Sequence, residues 1–237
     1  MTATPGFEPW MEHLMTAVTY SCLVLPVASV LTTCAMVWRQ VGGGVASGQK
    51  KVVAAAPARP APLSQRPADW CILGYFVLNL VLVTYLVDIE QLIIADPNNA
   101  AEVAAAPWPP QAFIKLIHAY SRAFDPVLLA RPAWWQATLW PDVLFYGPYY
   151  MVGLYAFAKG CAWIRDVTMV YAASIMTIVF IIMMEEAYGE HPTPHFGFVL
   201  CLNSPWFVVP ACLLLRMLVT HRPFDLPAPA KAADKAA

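Results

Sequence analysis

The feature that most constrains this chain is a set of five apolar stretches. The first reads TAVTYSCLVLPVASVLTTCAMVW from Thr16 to Trp38 and holds no charged residue. At about 1.5 Å of rise per residue, about 20 predominantly apolar residues cross the hydrocarbon core of a bilayer. Stretches near 14–38, 70–87, 134–158, 167–184 and 198–219 meet or approach that length. Composition agrees, with 59% of the 237 residues hydrophobic and 12% charged, against about a quarter charged in a soluble domain. The expected fold is all-α, a polytopic membrane helix bundle with five spans.

Pro141, Asp142, Asn203, Pro210 and Arg216 interrupt the later stretches. Such residues persist in lipid where neighbouring helices or water satisfy them, so these spans are expected to pack together. The first stretch follows Glu8, Glu12 and His13 with no Lys or Arg, which argues for a retained span rather than a signal peptide. The chain then divides into a short segment over 1–13, an accessory span over 14–38, a basic Ala/Pro-rich linker over 39–68, a bundle over 69–222 and a tail over 223–237.

Charge sets an expected orientation. Arg39, Lys50, Lys51, Arg59 and Arg66 share one connection, and alternation puts Lys159, Arg165, Arg222, Lys231 and Lys235 on the same side. The other side receives Lys115, Arg122 and Arg131 together with Asp88, Glu90, Asp96, Glu102, Asp125, Glu185, Glu186 and Glu190. The positive-inside rule places the C-terminus in the cytoplasm and the N-terminus outside or in a lumen.

Between the second and third spans, Phe113, Leu116, Ile117, Tyr120 and Phe124 recur at helical spacing, with Pro109 and Pro110 before them and Pro126 after. This predicts a short amphipathic helix over the mouth of the bundle or on its surface. Polar residues converge on the same end. Asp88 closes the second span, Asp142 lies inside the third with Tyr146 one turn on, and Glu185 and Glu186 close the fourth. Asn203 and Trp206 lie one turn apart in the fifth, and Asp125 hangs just outside. The opposite half offers little beyond Arg216, expected to snorkel outward.

A carboxylate within a span is costly unless paired or neutral, so Asp142 is the strongest candidate for a functional group; a helix-packing hydrogen bond is the alternative. Asp88 reads equally as an interfacial acid. Two adjacent carboxyls resist joint ionisation, which suits either a ligand with one cation and an apolar body or proton transfer to an alkene. Trp206 reads as a core aromatic or as a face for a cation. Cys22, Cys34, Cys71, Cys161, Cys201 and Cys212 are scattered without a CxxC pair, so buried thiols are expected, with no metal and no cofactor.

The runs YLVDIEQL, FDPVLLARPAWWQATLWPDVLFYGPYY, YAFAKGCAWIRDVTMVYAASIMT and LNSPWFVVPACLLL resemble the EXPERA domain family from about Asp69 to Arg222. The likeness is greatest to its sigma-2 receptor branch and more distant to its sterol isomerase branch. The resemblance implies a four-helix core, to which the first span is an addition. It implies that Asp88 faces a ligand amine, that Asp125 supports the pocket, and that Asp142 stands where the family has a glutamate. Tyr146 replaces a family glutamine, and Trp206 matches a tryptophan that stabilises a cationic intermediate in the isomerases. The isomerase histidine has only His118 as a loose counterpart.

The expected ligand-binding set is therefore Asp88, Asp125, Asp142, Tyr146, Asn203 and Trp206. The expected function is binding of a sterol or lipid-like, cationic amphiphilic molecule within the membrane. A structural subunit of a membrane complex and a cofactor-independent sterol Δ8–Δ7 isomerase are the alternatives. Expected partners are membrane lipids or sterols, with a homodimer or membrane protein complex open and no nucleic acid. The expected location is the endoplasmic reticulum, with the mitochondrial inner membrane as the alternative.

Overall fold

The computed structural model describes residues 8–44 and 60–225. Most of the expected linker and tail, including Lys50, Lys51, Arg59, Lys231 and Lys235, lies outside the described residues. Those residues are all-helical: α1 (Pro9–Gly44), α2 (Pro67–Ile93), α3 (Ala100–Ala105), α4 (Gln111–Phe124), α5 (Val127–Ala130), α6 (133–159), α7 (Ile164–Tyr188) and α8 (Phe196–Val219). Three of these, α2, α7 and α8, are long and apolar enough to cross a membrane. The interior of α6 is diluted by Pro141, Asp142, Pro148 and several tyrosines.

Helix α2 does not stop at Val87 as the apolar run implied. It continues to Ile93, which makes Asp88, Glu90 and Gln91 helical. Two long helices widen locally into π-helical turns, Asn79–Asp88 in α2 and Asp142–Tyr146 in α6. There the Ile89 N–H donates to the Thr84 carbonyl and the Gly147 N–H to the Asp142 carbonyl, each five residues back. Such wide turns are uncommon and concentrate at functional sites. The two face each other, and a Cβ on Gly147 would stand 3.1 Å from the Thr84 methyl, so glycine permits the approach. Helix α6 ends at Gly160, whose φ of +72° closes the helix in the left-handed conformation that glycine adopts without strain.

The bundle has a filled half and a hollow half. In the filled half, Tyr75, Phe76, Tyr149, Tyr150, Phe157 and Tyr171 are buried against Val209, Leu213 and Met217 of α8. Buried hydroxyls need partners. The Tyr171 hydroxyl meets those of Tyr75 at 3.1 Å and Tyr150 at 3.3 Å, while Tyr149 donates to Thr168 at 3.0 Å.

The far end of this half corrects the reading of Arg216. Its side chain is buried rather than snorkelled, paired with a fully buried Asp69, which also pairs with Arg66. Arg66 further donates to the carbonyls of Ala61 at 2.8 Å and Phe157 at 2.8 Å, and Arg216 to that of Pro223 at 2.7 Å. Both guanidinium groups lie over the Phe224 ring. This network clasps the segments before α2 and after α8 onto the bundle.

Candidate functional site

The hollow half holds a cavity of about 250 Å³. Trp206, in its wall, donates its indole N–H to Asn79 Oδ1, and Asn79 Nδ2 donates to the Tyr75 carbonyl at 2.7 Å. Helix α2 supplies Leu86 and Asp88, α6 supplies Leu139 and Asp142, α7 supplies Ile175 and Val179, and α8 supplies Asn203 and Trp206. The amphipathic helix forms the roof as α4, Gln111–Phe124, with Phe113, Leu116, Ile117 and Tyr120 facing in. It therefore lies over the mouth of the bundle.

Five of the six expected ligand residues, Asp88, Asp125, Asp142, Asn203 and Trp206, line this one cavity. Tyr146 does not. It is buried edge-on to Tyr171, with its hydroxyl against Ser174. Its ring and hydroxyl are engaged by Tyr171 and Ser174 of α7, so the side chain is spent on helix packing rather than on the cavity.

Asp88 and Asp142 are buried, and their carboxyl groups are in hydrogen-bonding contact. Thr84 donates to Asp142 Oδ1 at 2.6 Å. Asp88 Oδ2 has no donor among the described residues. The arrangement is a fixed carboxyl beside one with an unfilled acceptor, both at the cavity wall.

A second acid pair stands at the rim, where Asp125 meets Glu186 of α7. Glu186 is buried, and neither of its carboxylate oxygens finds a donor among the described residues. Burial pushes the Asp125 carboxyl up to about 6, the contact with Glu186 pulling partly the other way. Glu186 is outside the expected set; its place in a Glu-Glu pair at the end of an apolar run was the available signal.

The roof is held by a network that the sequence reading distributed among loop residues. Glu90, fully buried, accepts from Arg131 Nη2 at 2.8 and 2.9 Å and lies 2.8 Å from His118 Nε2. Arg131 also donates to the Leu128 carbonyl at 3.0 Å and to the Ile94 carbonyl, and it holds φ = 47°, a strained value for a residue other than glycine. Gln91 Oε1 accepts from the Trp135 indole at 2.6 Å. At the other end of α4, Thr193 donates to the Phe124 carbonyl, and the Phe124 ring packs on Phe198. His118 is thus a roof anchor bound to Glu90.

The family model described as EXPERA (EXPanded EBP superfamily) matches residues 112–217, which contain the roof, α6, α7 and most of α8. The chain is similar to the Homo sapiens protein named Sigma intracellular receptor 2, 28% identical over 172 residues, covering 67% of this chain and 91% of that protein. The Macaca fascicularis protein of the same name is 28% identical over 171 residues, covering 66% of this chain and 90% of its own length. The Xenopus tropicalis counterpart is 29% identical over 168 residues, covering 66% and 91%. With the helical architecture, these likenesses support a place in the EXPERA family, near its sigma-2 receptor branch.

Proposed function

We propose that this protein binds a sterol or another lipid-like molecule, one carrying an amine or hydroxyl on an apolar body, inside the membrane. One observation carries the reading: a cavity with apolar walls in which the buried Asp88 carboxyl keeps an acceptor oxygen unfilled. Binding sites are mostly apolar concavities with a few placed polar groups. A buried acceptor without a donor is unfavourable until a ligand N–H or O–H reaches it. The names of the curated relatives, which call them receptors, support the same reading.

The proposal includes five spans, with α1 and α6 crossing beside α2, α7 and α8. The acidic roof then faces a lumen, and the endoplasmic reticulum is the favoured location. The sterol isomerase reading has one observation in its favour, Trp206 and paired carboxyls in a single cavity. The commitment of His118 to Glu90 weighs against it. An open cavity weighs against a role in packing alone.

The test is photolabelling of the full chain in phosphatidylcholine vesicles with a diazirine cholesterol and a diazirine long-chain tertiary amine. Binding predicts labelled peptides from 82–91 and 113–120, lost in Asp88→Asn for the amine. Equal amine labelling of parent and Asp88→Asn would refute the role given to Asp88. Restored Δ7 sterols in cells lacking the isomerase would favour the enzymatic reading.

A further inference from the structure

Helix α1 supplies part of the cavity wall. Leu14, Met15 and Val18 line the cavity. With the buried Met11 they fall at positions i, i+3, i+4 and i+7, which is one helical face. The other face turns Tyr20, Val24, Val27 and Leu31 outward, all exposed. The inner face packs on both α2 and α8. Residues 112–217, which match the family model, do not include α1.

The attachment of α1 differs in kind from that of the other walls. The roof is held by Glu90, Arg131 and His118, and the far end by Arg66, Asp69 and Arg216. On α1, Thr16 and Thr19 donate back to the carbonyls of Glu12 and Met15 in the same helix. Leu14, Met15 and Val18, the residues of α1 that line the cavity, are apolar. In lipid, apolar helix contacts lack a hydrophobic driving force, because the tails that replace them are equally apolar. The core is also clasped independently, since Ala61 donates to the Phe224 carbonyl and accepts from Arg66. Moving α1 aside therefore widens access from the bilayer to the cavity without undoing any of the buried ion pairs found among the described residues.

Resting on the binding function proposed above, we infer that α1 is the lateral gate of the cavity and that Leu14, Met15 and Val18 determine which lipid-like molecules enter and how fast. Ligand exchange then proceeds sideways, between the cavity and the acyl-chain region, past α1. The roof stays closed.

The experiment uses the full chain in phosphatidylcholine vesicles with diazirine cholesterol, flash-labelled at increasing times after mixing. The variant carrying Leu14→Ala, Met15→Ala and Val18→Ala is expected to take up probe about tenfold faster, equivalent to about 1.4 kcal/mol of lost contact. The control carrying Tyr20→Ala, Val24→Ala and Val27→Ala is expected to match the parent. Equal rates in all three overturn the gate while leaving binding intact. An unlabelled parent overturns binding instead. A second measurement needs no ligand: a lipid-soluble maleimide is expected to react about tenfold more slowly with Met15→Cys than with Val24→Cys. Equal reactivity at the two positions overturns the gate whatever the labelling shows.

Discussion

The Thr84 hydroxyl donates to Asp142 at 2.6 Å, joining one π turn to another across the contact between α2 and α6. This single bond commits Oδ1 of Asp142, while Asp88 Oδ2 has no donor among the described residues. Thr84→Val keeps the shape and removes the donor. A buried acceptor left unsatisfied costs about 1–3 kcal/mol. The unfolding midpoint in detergent is expected to fall accordingly, while Thr84→Ser stays near the parent.

Glu90 is the keystone of the roof, with Arg131 and His118 both directed at its carboxylate. Glu90→Gln leaves the Arg131 charge buried without its counter-ion, and breaking such a pair costs about 3–5 kcal/mol. The loss is expected to be local first. Hydrogen exchange should rise across 111–124 and stay slow across 205–219, where Asp69 and Arg216 are untouched. A uniform rise in both would show that the roof is not a separate unit.

Asp125 predicts a pH dependence. Its folded value of about 6 lies above the ordinary 3.8, so the native state holds this proton more tightly than the unfolded chain. Stability from this group is full below pH 4, falls as pH rises through about 4 to 6, and is level above that, a change of up to about 3 kcal/mol. Unfolding at pH 4.5 and pH 7 should show the difference, and Asp125→Asn should flatten it. Glu186, in contact with Asp125, contributes in the same region of the structure.

Glycines separate by surroundings. A Cβ at Gly160 would stand 2.6 Å from Pro60 Cβ on a backbone with φ of +72°. Gly160→Ala is therefore expected to destabilise by at least about 1–2 kcal/mol. Gly74, inside α2, has open space around its missing Cβ. Gly74→Ala is expected to be neutral or to stabilise by about 0.5–1 kcal/mol. Thermal melts of the two variants check both.

Much of the site was legible because it followed periodicity. The α4 roof came from Phe113, Leu116, Ile117 and Tyr120 between prolines, and the cavity acids came from counting depth along apolar runs. Elements that depend on distant pairing were not legible. Asp69 and Arg216 are separated by most of the chain, and nothing local to Glu90 announces Arg131. Tyr146 was misplaced because spacing along one helix does not reveal that Tyr171 and Ser174 of α7 engage it.

The most direct test of the central claim is an experimental density map of the chain extracted with its native lipids. The account predicts elongated density between Trp206 and Asp88, under the α4 roof, with a polar end within hydrogen-bonding reach of Asp88 Oδ2. Side chains of α2, α6 and α8 meeting across that space, with nothing between them, would contradict it.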